Sequence, residues 1–126
     1  MTLLEAGVAL LVMTAAIVAV VELVSATTKE RRTRRQRQVA VLELANQAER
    51  IALLEWNEAT PERLTTWKPS AMLAAAITAP TCQVRVTNES SRERRIDLSV
   101  GWQNAAGQAV RPAMLSVWKY EPGASP

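Results

Sequence analysis

The strongest constraint on this chain is a stretch of sixteen uncharged residues, 6–21, near its N-terminus. The mostly apolar region extends over residues 1–28, whose only charges are Glu5 and Glu22. About 20 apolar residues in a helix are enough to cross the hydrocarbon core of a bilayer. An unpaired carboxylate in such a segment costs about 2.5–3.5 kcal/mol even on the lenient insertion scale. The region predicts a transmembrane helix in which Glu5 needs a specific explanation.

The helix is predicted to continue well beyond the apolar region. No Pro or Gly lies between Val8 and Thr60, so we expect one helix from near Thr2 to about Trp56, on the order of 80 Å long. Its first half, residues 1–28, is apolar. Its second half, residues 29–57, is amphipathic, and its apolar positions recur at helical spacing. This spacing predicts that the second half packs against a small domain through Val41, Leu44, Ala48 and Ile51.

The rest of the chain changes its periodicity. Residues 58–80 read as a linker with two short helices, one over Pro61–Trp67 and one capped by Ser70. Residues 81–120 alternate apolar and polar positions in three runs, which predicts an antiparallel sheet packed on the helix. The inward face of the third strand stays open between Leu115 with Val117 and Trp118 with Tyr120. The fold class is therefore α+β with a long helical spine, and residues 121–126 form a tail.

The order Met1-Thr2-Leu3-Leu4-Glu5, followed by an apolar helix, resembles the processed N-terminus of type IV pilins and type II secretion pseudopilins. That resemblance implies removal of a leader and methylation of Met1 by a prepilin peptidase, followed by extraction from the inner membrane by an assembly platform. It also implies that Glu5 meets the Met1 ammonium of a neighbouring subunit in a filament core. Glu22 is expected to pair with a neighbour's arginine.

Two features depart from the family pattern. Many pilins carry Gly and Pro near positions 14 and 22, whereas this chain has Thr14 and Glu22, so we expect its helix to be more continuous. The disulfide loop of many major pilins needs two cysteines, and this chain has Cys82 alone. We expect Cys82 to be a buried, inert thiol.

A basic run follows the apolar region directly. Its six cations spread around most of the helix circumference, and the acids Glu43, Glu49 and Glu55 lie further along. We expect contacts between the run and a neighbour's acids, with anionic lipid headgroups and nucleic acid as the alternatives. The positive-inside rule would keep such a run cytoplasmic, in conflict with the outward-facing domain of a pilin. The run comprises Lys29, Arg31, Arg32, Arg34, Arg35 and Arg37.

The composition disfavours catalysis and metal binding. The chain has no His and one Cys, so it lacks the commonest general base and metal ligand. We expect no enzyme activity, no cofactor and no metal site. The four tryptophans are expected in core or interface positions, and they are Trp56, Trp67, Trp102 and Trp118.

Together these features predict a structural subunit of a type IV pilus-like helical filament, a homopolymer of this chain. It would wait in the bacterial inner membrane and then enter a cell-surface filament. One alternative is a minor pseudopilin of a periplasmic type II secretion pseudopilus. The other is a bitopic membrane protein whose arginine run binds anionic lipid or nucleic acid.

Overall fold

The computed structural model describes residues 2–123, and its fold is α+β, as the sequence predicted. Helix α1 comprises Leu3–Leu53 and precedes a 3-10 helix at Trp56–Glu58. Two short helices and one antiparallel sheet of three strands follow, in the spatial order β1-β2-β3. These elements are α2 (Pro61–Leu64), α3 (Ala71–Ala76), β1 (Thr78–Ser90), β2 (Glu93–Gln103) and β3 (Ala113–Tyr120). The chain divides between Arg35 and Gln36 into two compact units, so α1 contributes to both.

Helix α1 has no break at Thr14 or Glu22, as expected from residues that leave the backbone hydrogen bonds intact. Its end differs from the prediction, because the helix stops at Leu53 and not near Trp56. The Lys119 ammonium donates hydrogen bonds to the carbonyl oxygens of Ile51 and Ala52 at 3.1 and 3.3 Å. Last-turn carbonyls lack partners within a helix, and a cation there stabilises the helix terminus.

The core of the second unit lies between α1 and the sheet. Leu44 and Ile51 of α1 are buried together with Leu98 at the centre of β2. Full burial of a large apolar side chain is worth about 1.5–3 kcal/mol, so these residues dominate the stability of a small domain. The predicted helix-to-sheet packing is confirmed for Leu44, Ala48 and Ile51, with Ala48, Val84 and Val86 partly buried at its margin. The prediction was wrong for Val41, which is 52% exposed because it lies about 60° around the helix from Leu44, at the edge of the apolar stripe. The remaining core residues are Ala40, Leu64, Leu73, Ile77, Ile96, Val100, Trp102 and Ala113.

The strand register decides the inward face of β3. Leu115 lies opposite Leu98, and Val117 lies opposite Ile96, so both β3 residues share the core face. Side chains alternate along a strand, which places Trp118 and Tyr120 on the outer face. Trp118 is 49% exposed, whereas Trp102 on β2 is buried. The tryptophans therefore divide between core and surface.

The linker helices are shorter than predicted. Helix α2 ends at Leu64, where Thr65 already serves as its C-terminal cap, so the helix does not reach Trp67. Helix α3 begins after Ser70, whose side chain accepts a hydrogen bond from the Leu73 N–H as an N-cap should. The predicted cap at Ser70 is confirmed.

Candidate assembly and membrane interface

The first turn of α1 is closed by a reciprocal pair of hydrogen bonds. The Thr2 backbone N–H donates to Glu5 Oε2 at 3.0 Å, and the Glu5 backbone N–H donates to Thr2 Oγ1 at 3.3 Å. This arrangement is a capping box, in which the N-cap and N3 residues each satisfy a backbone donor that the helix leaves unpaired. Met1, the predicted partner of a neighbour's Glu5, lies outside the described residues.

The capping box gives Glu5 a partner within its own chain. This role was not among the predictions for Glu5, although the pattern Thr2-x-x-Glu5 ahead of an apolar run is its known signature. The contact accounts for Glu5 Oε2 only, and no hydrogen bond to Oε1 occurs among residues 2–123.

The apolar half of α1 exposes its large side chains on every side. Leu4 is 78% exposed and Leu11 is 71% exposed, and nothing in the first unit covers them. Exposed apolar surface of this extent marks an interaction or membrane surface in soluble and membrane proteins alike. The helix is long and apolar enough to cross a membrane. The other large exposed side chains of this half are Leu3, Val8, Leu10, Val12, Met13, Ile17, Val18, Val20, Val21, Leu23 and Val24.

Glu22 is exposed and lies at one end of a shallow apolar notch along the helix. Gly7, Ala15 and Ala19 line that notch. The notch exists because glycine has no side chain and alanine has only a methyl group. No ion pair of Glu22 occurs within the part of the chain that the structure describes. Glu5 and Glu22 are separated by about 26 Å at 1.5 Å per residue, so they form two sites.

The basic run separates into two parts. Lys29, Arg31, Arg32, Arg34 and Arg35 are exposed residues of the first unit, and we call them the collar. Within the collar, Arg34 forms an ion pair with Glu30 one turn earlier, an exposed pair worth little. Arg37 belongs to the second unit.

Arg37 is exposed but makes two contacts with other residues of the second unit. Its guanidinium lies 5.6 Å from the centroid of the Trp102 ring, and its Nη2 donates to the Arg111 carbonyl oxygen at 3.1 Å. A cation over an aromatic face is attracted by the ring quadrupole. Arg37 therefore anchors the helix to its own sheet.

Glu43 differs from its expected role as a surface partner for a neighbour's cations. It is only 6% exposed, because the segment before α3 folds over it. Its carboxylate accepts hydrogen bonds from the Ser70 hydroxyl at 2.6 Å and from the Ser70 N–H at 3.3 Å. Of the three acids named as partners of the basic run, Glu49 and Glu55 stay exposed and Glu43 does not.

The outer face of the sheet carries a polar network. Arg95 lies between Glu89 at 3.2 Å and Asp97 at 3.3 Å, and Asp97 also accepts a hydrogen bond from Ser116 at 2.6 Å. These ion pairs are partly exposed, so the network organises the surface more than it stabilises the fold. Among residues 2–123, no three potential metal ligands of the His, Cys, Asp or Glu types cluster together.

Cys82 lies on the core face of β1 and is partly buried. Burial, with a smaller contribution from the Glu43 charge, raises the pKa of its thiol to about 11. The thiolate is the reactive form of cysteine, so this environment suppresses nucleophilic chemistry near neutral pH.

No protein-family model, curated protein or solved structure matches this chain.

Proposed function

We propose that this protein is the structural subunit of a type IV pilus-like helical filament, assembled through the apolar half of α1. The observation that carries the proposal is the fully exposed apolar helix surface with a carboxylate one turn from its start. A lipid-exposed anchor needs the apolar surface alone. A filament core needs that surface together with charges that define how far neighbouring helices are shifted.

The second carboxylate oxygen of Glu5, Oε1, is the atom that we expect to contact a neighbouring subunit. Before assembly, the capping box holds the carboxylate near the membrane surface, where water and headgroups limit the cost of its charge. In the filament, Oε1 would accept a hydrogen bond from the Met1 ammonium of the next subunit while Oε2 keeps its bond to Thr2. The pair would set the register of neighbouring helices more than it adds net stability.

Three variants separate the capping role of Glu5 from its charge. Glu5→Gln retains a side-chain acceptor for the capping box and removes the charge. Thr2→Ala removes the capping side chain and retains the charge, and Glu5→Ala removes both functions. The measurement is electron microscopy of sheared filaments, with carbonate extraction of membranes to count the protein that waits in the bilayer.

The expected result is few filaments from Glu5→Gln and Glu5→Ala, near-normal filaments from Thr2→Ala, and membrane retention in all three. Filament loss in Thr2→Ala and Glu5→Ala with full yield in Glu5→Gln would assign Glu5 to helix capping alone. Normal yield from every variant would remove the main support for a filament subunit.

A second candidate function is a bitopic membrane protein with a cytoplasmic domain. The capping box favours the bitopic alternative, because the two hydrogen bonds with Thr2 give Glu5 a role that requires no neighbouring chain. The collar directly after the apolar segment favours it too, by the positive-inside rule. A protease added outside the inner membrane cuts the sheet domain in the filament and pseudopilus alternatives and spares it in the bitopic one.

The finer choice between a major filament subunit and a minor pseudopilin rests on abundance. Micrographs of purified filaments with this chain as the dominant component would support the major subunit. Filaments containing it at trace level would support the minor pseudopilin.

A further inference from the structure

The collar is the most strongly charged surface of the described chain. Residues 29–35 carry a net charge of +4, and all five cations are exposed. Only Arg34 has an acidic partner among residues 2–123, and that partner, Glu30, belongs to the same turn of helix. Four cations therefore face solvent without a counter-charge from the described chain.

The angular spread of the collar side chains around the helix axis indicates how much of the helix a partner would have to surround. Successive residues of an α-helix are rotated by about 100°, so the five collar side chains extend over roughly 220° of the circumference. A single packed partner usually meets a stripe about 100° wide. A duplex nucleic acid or one acidic helix would leave part of the collar unused, whereas a layer that surrounds the helix would meet all of it.

The axial extent of the collar fits the headgroup layer of a membrane. Lys29 and Arg35 are six residues apart, or about 9 Å along the axis. The polar layer on each side of a bilayer is about 5–8 Å thick, and long basic side chains bend along the helix to keep their charges within it. The collar starts directly after Thr28, where the apolar region ends.

Near the end of the apolar segment, the collar residues are the side chains that could anchor the helix at the membrane surface. The first aromatic residue of the chain is Trp56, so no Trp or Tyr is available near the apolar segment to anchor it at the membrane surface. Arg37, the next cation, is occupied by Trp102 and the Arg111 carbonyl oxygen. The five collar cations, of which Arg34 is paired only with Glu30 in the same turn, are thus distinct from Arg37, which contacts its own domain.

We propose that the collar binds the phosphodiester groups of anionic lipids in the leaflet where α1 leaves the membrane. This inference rests on the membrane-spanning state that the proposed function requires. Each guanidinium offers a planar set of donors to phosphate oxygens, and Lys29 adds a point charge. Each juxtamembrane cation strengthens the attraction to an anionic membrane surface by a factor of about five. The collar would therefore gather a shell of anionic lipids around the helix.

The experiment uses the full chain in bilayers of phosphatidylcholine with about a quarter phosphatidylglycerol. Electron paramagnetic resonance with either lipid spin-labelled measures which lipid is immobilised at the protein. The collar variant combines Lys29→Gln, Arg31→Gln, Arg32→Gln and Arg35→Gln, and it keeps the pair of Glu30 and Arg34. The matched control changes four exposed cations of the second unit, namely Arg50→Gln, Lys68→Gln, Arg85→Gln and Arg111→Gln.

The expected result is a several-fold preference for phosphatidylglycerol in the wild type and the control, its loss in the collar variant, and its decline with salt. Equal preference in wild type and collar variant would overturn the inference. A duplex oligonucleotide that binds the collar and is not displaced by phosphatidylglycerol would overturn it in favour of nucleic acid.

Carbonate extraction, the lipid measurement and micrographs of sheared filaments together distinguish this inference from the proposed function. Protein that carbonate extracts from the bilayer would contradict the membrane-spanning state and both proposals. Inserted protein without lipid preference would overturn the headgroup inference and leave the filament proposal standing. Lipid preference in the bilayers, together with no filaments in material sheared from cells, would support the collar inference and count against the filament.

Discussion

The ammonium of Lys119 donates a hydrogen bond to the carbonyl oxygen of Ile51, joining the end of β3 to the end of α1 across 68 positions of sequence. A second bond to the Ala52 carbonyl oxygen places the same charge at the C-terminus of the helix. The contact supplies a charged donor to the last turn of α1, where the Ile51 carbonyl oxygen also accepts the Leu54 N–H at 3.1 Å, and it complements the negative end of the helix dipole. It also places Lys119 on the core side of β3 with Leu115 and Val117.

Lys119→Met removes the charge and keeps most of the apolar stem. We expect the free energy of unfolding to fall by about 1–2 kcal/mol, because two carbonyls lose a charged donor. Urea unfolding of the full chain in detergent, followed by tryptophan fluorescence, measures the domain selectively, since all four tryptophans lie at or beyond residue 56. Lys68→Met, at an exposed lysine, is the control and should change stability little. Equal losses from both variants would contradict the capping role.

Leu98 and Leu115 lie opposite each other in the sheet but differ in burial. Leu98 is fully buried, whereas Leu115 is 37% exposed at the edge strand. We expect Leu98→Ala to destabilise the domain by about 2–5 kcal/mol, and Leu115→Ala to cost less than half as much, because less packing is lost. The same fluorescence assay applies. A similar melting temperature for Leu98→Ala and wild type would show that the sheet does not pack on α1 as described.

Glu43 and Glu49 offer a matched pair of acids on α1, one buried and one exposed. Glu43→Ala leaves the hydroxyl and N–H of Ser70 without their acceptor at the start of α3, so we expect a loss of about 1–3 kcal/mol. Glu49→Ala should stay within about 0.5 kcal/mol of wild type, as is usual for surface positions. If Glu49→Ala proves the more damaging to folding, the assignment of Glu43 to the domain interior is wrong.

The Cys82 thiol should titrate abnormally in the folded protein. Burial raises its pKa to about 11, so the rate of alkylation by iodoacetamide should rise about tenfold per pH unit up to pH 10. In the urea-unfolded chain the rate should level off above pH 9, since the ordinary pKa of a cysteine thiol is 9.0. A rate profile that levels off at the same pH in both states would contradict the burial of the thiol.

The same shift affects stability in a defined direction. Because the folded pKa lies above the unfolded one, the neutral thiol is favoured by folding. Its contribution is complete below about pH 9 and declines as the pH rises through 11, so the free energy of unfolding should decrease across that window. Cys82→Ser abolishes this titration and should remove the Cys82 component of the decline.

Much of the fold follows from local patterns. The absence of Pro and Gly between Val8 and Thr60 predicts the long helix, and the alternation around Leu98 predicts a strand with one buried face. Ser70 ahead of a helical stretch predicts the cap of α3, and the structure confirms each of these predictions. The capping box at Thr2 and Glu5 could also have been predicted, since its signature occupies four consecutive residues of the sequence.

The sequence by itself thus determined the type and order of the main helix and strands, the apolar half of α1 and the location of its basic collar. These features depend on intrinsic propensity and on spacing along one element. The tertiary structure alone decided that Lys119 bonds the last turn of α1, that Ser70 bonds Glu43 and that Arg37 lies over Trp102. Each of these contacts joins residues at least 27 positions apart, with separations up to 68. Periodicity fixes the direction of a side chain on its own helix or strand, whereas its partner depends on how packed elements bring distant segments together.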